Sequence, residues 1–275
     1  MTDQGERYDR IAEGYARWWA PVLSSGIVEL LDEVGPRLDG AERLIDIGTG
    51  TGQLALAALE RWPGVTVVGI DASAEMRAMA DAEADRRLDG PDRSRFSSIV
   101  ALADSLPVPD AAFDMAVSSF VFQLVPNRSR ALREARRILR PGGMLAYVSW
   151  LDGDPVGAFL PDAIFDEVLD ELDFGPPDGD DRTGDIPSVE RAAAELRHAG
   201  FADVTGRAGI LAHRFTVDGY VGFLTEFDEE SLFAELDPAL RDRVLTALRT
   251  RLEPLTAEQL TMRARIVFAS GRRSR

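Results

Sequence analysis

Hydrophobic and polar positions change period along this chain. From Arg43 to Trp150, short β-branched runs alternate with segments of helical spacing, the βαβ manner of a parallel sheet. The runs predict strands at Arg43 to Ile47, Val65 to Ile70, Phe96 to Ala101, Asp114 to Ser119 and Met144 to Trp150. Helices are expected between them at Thr51 to Arg61, Ser73 to Arg87 and Arg128 to Leu139. Pro63-Gly64 and Gly90-Pro91 stop two of these helices, Asn127 can cap the third, and Pro141-Gly142-Gly143 turns its end into the next strand. Before this region the spacing predicts helices at Gly5 to Trp19 and Ser24 to Val34, the second with Ile27, Leu30, Leu31 and Val34 on one face. After it come helices at Gly157 to Leu172 and Ser188 to His198, a long strand from Ala202 to Phe215, and helices at Val217 to Phe227 and Asp237 to Leu252. A last strand is expected at Leu260 to Ala269.

The expected organisation is an N-terminal helical lid (residues 1–40), a nucleotide-type binding core (41–151) and an acidic cap insertion (152–187). A core continuation (188–215), a second helical cap (216–259) and a final strand with its tail (260–275) complete it. Within the acidic insertion, Gly175 to Asp181 reads as a mobile loop. Its carboxylates lack the spacing of a calcium loop, so no metal is expected.

Composition narrows the chemistry. The 275 residues carry no cysteine, two histidines and a formal charge of −16, and all 31 basic residues are arginines. Disulfides, thiolate clusters, cysteine nucleophiles and a multi-histidine zinc site drop out. The acidity opposes a phosphate backbone, so no nucleic-acid partner is expected. No apolar run approaches the roughly 20 residues that span a bilayer, and the acidic N-terminus lacks a signal peptide's basic flank. A soluble, cytoplasmic protein without membrane partners, monomeric or homodimeric, is expected.

The most informative segment is Leu44-Ile45-Asp46-Ile47-Gly48-Thr49-Gly50-Thr51-Gly52, an apolar strand running into a glycine loop that opens a helix. Glycine admits positive φ and close approach of a ligand, and the helix start offers unpaired N–H groups. The dinucleotide fingerprint G-x-G-x-x-G would need glycine at 53, where this chain has Gln53. That disfavours NAD. Asp46, two positions before the first glycine, suits a cationic ligand group better than a pyrophosphate. Asp71 closes the second strand, where an open α/β sheet offers a carboxylate to ribose hydroxyls. Asp104 follows the third strand and can accept from an exocyclic purine amine. With Ser119, four strand ends converge on one carboxyl edge.

Taken with Ala103-Asp104-Ser105-Leu106-Pro107, Phe113-Asp114 and Glu134 to Gly143, these segments give the chain its likeness. It resembles the class I S-adenosylmethionine-dependent methyltransferases, in the small-molecule group related to the ubiquinone and menaquinone C-methyltransferases. The matching segments cover about Tyr8 to Trp150. The resemblance implies a Rossmann-like, doubly wound α/β fold with a seven-stranded, mostly parallel sheet, its last strand antiparallel, plus a helical cap. It implies S-adenosylmethionine as cofactor and a small-molecule methyl acceptor, with the methyl moving to O, N or C by direct in-line displacement. Gly48, Gly50 and Gly52 would cradle the methionine part, Asp71 would bind the ribose, and Asp104 the adenine amine, with Met76 and Leu106 packing on the ring. Asp46, Thr49, Ala72, Ser105 and Ser119 complete the implied cofactor set.

Phe120-Val121-Phe122-Gln123-Leu124 lacks a histidine pair common at that place in relatives, which leaves the catalytic role there unassigned. His213, near the end of the sixth strand, is the candidate general base. Tyr15, Trp18 and Trp19 on the N-terminal helix, with Phe120, Gln123 and Trp150, are the candidate acceptor contacts. The Arg133, Arg136, Arg137 and Arg140 cluster reads as a solvated helix face. Two other functions use the same pattern: an NAD(P)-dependent oxidoreductase, and a non-catalytic binding protein on this fold.

Overall fold

The computed structural model describes residues 3–37, 40–153, 156–172 and 184–274. The loop expected to be mobile, Gly175 to Asp181, lies outside them. Seven strands form one sheet: β1 (Arg43–Ile47), β2 (Thr66–Asp71), β3 (Phe96–Val100), β4 (Phe113–Ser119), β5 (Leu139–Trp150), β6 (Phe201–Arg214) and β7 (Thr261–Arg273). Their order is β3-β2-β1-β4-β5-β7-β6. β1 to β5 pair in parallel, and β7 inserts between β5 and β6, antiparallel to both. The order reverses between β1 and β4, and such a switch point leaves a crevice at the carboxyl ends of the strands.

The described helices are α1 (Asp3–Gly14), α2 (Ala20–Val34), α3 (Gln53–Arg61), α4 (Ala74–Arg87), α5 (Gly90–Arg93), α6 (Arg128–Ile138), α7 (Leu160–Glu171), α8 (Val189–His198), α9 (Val217–Phe223), α10 (Glu230–Glu235) and α11 (Pro238–Leu252). Two apolar layers sandwich the sheet. On one face, buried residues of α2 and α3 join those of α7, α9 and α11; on the other, α6 and α8 bury alanines and leucines such as Ala131, Leu132, Ala192 and Leu196.

β5 begins at Leu139, paired with Phe113, so the Pro141-Gly142-Gly143 expected as a turn lies within the strand span. Three further boundaries differ from the sequence expectation for physical reasons. The gap expected at residues 20–23 is absent: α1 continues through a π turn (Tyr15–Trp19) straight into α2. Pro21 has no N–H to give, and the wider turn, in which the Ala20 N–H reaches the Tyr15 carbonyl, lets the helix pass it. The helix expected to Phe227 likewise ends in a second π turn, Leu224–Asp228. β7 extends four residues beyond Ala269 because its partner is long, Phe201 pairing with Arg273.

Of the arginines expected on a solvated helix face, Arg133 is exposed, but Arg136 and Arg137 of α6 and Arg140 at the start of β5 are engaged in the frame. Arg137 pairs with Glu134 and donates to the Leu106 and Val108 carbonyls, while Glu134 accepts the Leu106 N–H. Together they clamp the loop after β3. Arg136 donates to the Gly200 carbonyl, and Arg140 pairs with buried Asp114, which also accepts the N–H groups of Glu42 and Arg43 at the start of β1. The Phe113-Asp114 and Glu134 to Gly143 segments therefore act on the sheet's frame rather than on a ligand.

Candidate active site

β1 delivers Asp46 and then the glycine loop. Gly48 has φ +76°, and a Cβ there would lie 2.1 Å from a Val121 methyl, so only glycine lets the β1 loop meet the β4 loop. Gly50 (φ +53°) and Gly52 (φ +84°) keep the chain turning until Gly52 starts α3. The Gly48 and Thr49 N–H groups both bond to the Ile70 carbonyl, fixing the loop against β2.

Asp71, at the end of β2, accepts the Gly50 N–H at 2.8 Å on one oxygen and the Ser73 N–H at 2.9 Å on the other. Burial raises its pKa against these bonds. Ser73 caps α4, its hydroxyl accepting the Met76 N–H. Asp46 is 1% exposed. One of its oxygens accepts the Thr49 hydroxyl at 2.9 Å, and the other, Oδ1, is buried without a protein partner, as is the Ser119 hydroxyl. Burial, reinforced by Asp71, pushes Asp46 up to about 7. A buried carboxylate oxygen and hydroxyl left unpaired are costly unless a donor arrives.

Two adjoining cavities open here. The larger, about 290 Å³, is lined by Gly48, Gly50, Asp71, Ala72, Met76, Asp104 and Ser119, and is closed by Tyr8 and Tyr15 of the N-terminal helix. Its remaining wall is mostly apolar, from Leu102 and from Phe120, Val121, Leu124, Val125 and Pro126 after β4, with Ser73 and Asn127 adding polar groups. The smaller, about 30 Å³, takes in Asp46, Thr49, Gly50 and Ser119, with Tyr15 at the junction of the two. Burial, with Tyr8, Asp71 and Asp46 nearby, holds the Tyr15 phenol well above its ordinary value, so it stays protonated.

Other expected site residues lie elsewhere. Gly52 packs against Ala80 and lines neither cavity. Leu106 is buried in the layer behind the sheet, and Ser105 is exposed and bonded back to Leu102. Gln123 is spent internally, donating to the Phe120 carbonyl and accepting from Ser149. Trp18 donates to Glu226 at 2.7 Å and fills a notch left by Gly222. Trp19 stacks between Phe223 and Phe227 and reaches Trp150, whose ring lies 4.4 Å from that of Phe120. Trp18, Trp19 and Trp150 thus form the wall behind Tyr15 and Phe120, outside the cavity surface.

His213, the candidate base, lines neither cavity. Its strand is separated from β4 by β5 and β7, its ring packs edge-on against Phe215, and burial lowers its pKa. Among the residues that sequence reasoning passed over are Leu102, Val121, Leu124, Val125 and Pro126. Their position just after β3 and β4, on the carboxyl edge, was the available signal. Phe120 carries a positive φ of 55°, the sort of backbone strain found at sites.

Residues 45–147 match the family model of a methyltransferase domain. The chain is 41% identical over 132 residues to a demethylmenaquinone methyltransferase of Thermus thermophilus, covering 48% of this chain and 55% of that one. It thus spans little more than half of that relative's length. It is 31% identical over 230 residues to the ubiquinone/menaquinone biosynthesis C-methyltransferase UbiE of Dinoroseobacter shibae, covering 75% of this chain and 83% of the relative. Among solved structures it resembles the [4+2]-cyclase SpnF, with a TM-score of 0.59, 23% identity, and coverage of 98% and 95%. That last likeness is one of fold alone.

Proposed function

The chain belongs to the class I S-adenosylmethionine-dependent methyltransferases, and on that premise we propose that it methylates a small-molecule acceptor held under the N-terminal helix. The observation that carries this reading is the pair of orphaned buried atoms, Asp46 Oδ1 and Ser119 Oγ, facing the smaller cavity beside Asp71. A ligand with cationic groups and donor N–H and O–H groups fits such a set; a pyrophosphate does not. When bound, S-adenosylmethionine supplies a methyl already activated on a sulfonium.

The chain's own residues have simpler tasks. Asp46, Thr49 and Ser119 hold the methionine end, Asp71 accepts from the ribose, and Met76, Leu102 and Asp104 take the adenine. Tyr8, Tyr15 and Phe120 exclude water and align the acceptor, which is most of what an in-line displacement requires. The bound cofactor would supply the methyl group and depart as the neutral thioether, with any proton the acceptor gives up passing to solvent. No helix among the described residues is long and apolar enough to cross a membrane.

Isothermal calorimetry with S-adenosylmethionine, S-adenosylhomocysteine, NAD and NADP tests the cofactor; the first two bind and the nicotinamides do not. Binding of NAD alone overturns the reading. Deuterated-methyl S-adenosylmethionine, incubated with candidate acceptors and followed by mass spectrometry, identifies the product as an added labelled methyl. A cofactor that binds but never yields labelled product in any acceptor pool favours a non-catalytic or non-methylating protein.

A further inference from the structure

Asp9 belongs to no motif singled out above, and it does not line the cavity. It lies one residue from Tyr8 on α1, and its carboxylate reaches across to the start of α4. There one oxygen accepts the Ser73 hydroxyl at 2.5 Å and the Glu75 N–H at 3.2 Å. Those bonds, the Ser73 bond foremost, hold the Asp9 carboxyl below its ordinary value, as an anion facing a helix N-terminus.

Ser73 is the hinge of the arrangement. It is 1% exposed and uses every polar group it has: its N–H goes to Asp71, while its hydroxyl accepts from Met76 and donates to Asp9. A single residue therefore holds the ribose-site carboxylate with its backbone and the N-terminal helix with its side chain. At its other end that helix is secured where Arg17 and Trp18 meet Glu226. There, too, a Cβ on Gly14 would collide with the Glu226 carbonyl. Tyr15 stands between the two fastenings and Tyr8 directly precedes the Asp9 one; both line the larger cavity, and their rings meet edge-on.

We propose that Asp9 is a positioning residue, acting through Ser73 to hold Tyr8 and Tyr15 closed over the bound cofactor. This rests on the cofactor reading above. Asp9 touches no reacting atom. Its contribution is to slow cofactor escape by tying the closing helix to the same serine that orders Asp71. Two bonds accepted midway along α1, in a helix held firmly where it runs on into the π turn, give a local latch, so its loss frees one side of the mouth and leaves the cap intact.

The test measures the dissociation rate and Kd of S-adenosylhomocysteine, using tryptophan fluorescence and calorimetry, for wild type, Asp9→Ala, Asp9→Asn and Ser73→Ala, and for the Asp9→Ala/Ser73→Ala double variant. Asp9→Ala is expected to raise the dissociation rate about tenfold, with a smaller change in association rate. Asp9→Asn keeps an acceptor oxygen without the charge and falls between. On the Ser73→Ala background the Asp9→Ala effect shrinks at least threefold, because the shorter of its two bonds is already gone and only the Glu75 N–H remains. A purely structural role would lower the melting temperature of the free protein and leave the dissociation rate unmoved. Unchanged dissociation in folded Asp9→Ala, or full additivity with Ser73→Ala, overturns the proposal while the cofactor reading stands. If Asp9→Ala does not fold, Asp9→Asn carries the same readout. Failure of the wild type to bind S-adenosylhomocysteine overturns both.

Discussion

The two ends of the sheet are built on different terms. At the β2-β1-β4 end, residues line the two cavities from within one or two residues of a strand end: Asp46, Gly48, Asp71, Ser119 and Phe120. At the β5-β7-β6 end, the carboxyl edge is roofed by aromatics that interlock, with Phe215, Tyr220 and Phe223 packed edge-on or tilted and Phe159 against them. Tyr220 there is fully buried and its hydroxyl donates to Asp162 at 2.7 Å. One end leaves buried polar atoms unpaired beside the cavities; at the other the Tyr220 hydroxyl is paired, and the one β5 hydroxyl left unpaired, that of Tyr147, lies in the apolar layer and lines neither cavity. Substitutions at the first should change binding, and those at the second only stability.

The sharpest way to break this contrast is Gly48→Ala. Its new methyl meets Val121 at a position that already needs a positive φ, and the combined strain costs about 2 to 4 kcal/mol. A melting temperature several degrees lower, with cofactor binding undetectable, is expected in thermal denaturation and calorimetry; a neutral outcome would mean the loop can move freely. Next is Asp71→Ala, which should weaken cofactor binding more than tenfold by removing a charged acceptor worth roughly 1.5 to 3 kcal/mol. Wild-type affinity by calorimetry would remove Asp71 from the site.

Asp46→Asn separates binding from stability through pH. The folded-state pKa of Asp46, about 7, lies above its ordinary 3.8, so between those values the folded protein binds more protons than the unfolded chain. This group's effect on stability is thus favourable at the low end of that window and is lost as pH rises through it. The free Asn variant should gain stability relative to wild type as pH is raised from about 5 to about 8, while binding the cationic cofactor more weakly. Parallel stability curves for the two proteins would show that Asp46 does not titrate there. The smallest effect is expected for His213→Gln: unchanged kcat and pH profile, since β5 and β7 stand between its strand and β4. A tenfold loss of kcat would return it to the reaction.

The same contrast explains what could be read in advance. Asp46, Gly48, Asp71 and Asp104 were legible because a strand end, a glycine run and a helix start sit within a few residues of each other, and local chain geometry aims them at one edge. Leu106 misled because it stands in the right motif but is drawn behind the sheet, where Glu134 and Arg137 fix its loop. Trp18 and Trp19 were rightly placed near the closing helix but assigned to the cavity. Whether an aromatic faces ligand or neighbour depends on the π turn that Pro21 imposes and on Gly222, more than 200 residues away.

By itself, then, the sequence determined the parallel core, the glycine loop with Asp46 before it and Asp71 and Asp104 after it, and the absence of cysteine chemistry. These follow from periodicity, backbone freedom and composition, which act over short stretches. The tertiary structure alone decided that β7 slides between β5 and β6, that His213 stands away from the cavity, and that Asp9 meets Ser73 across 64 positions. Each depends on contacts between distant segments, whose energies exist only once the chain has closed on itself.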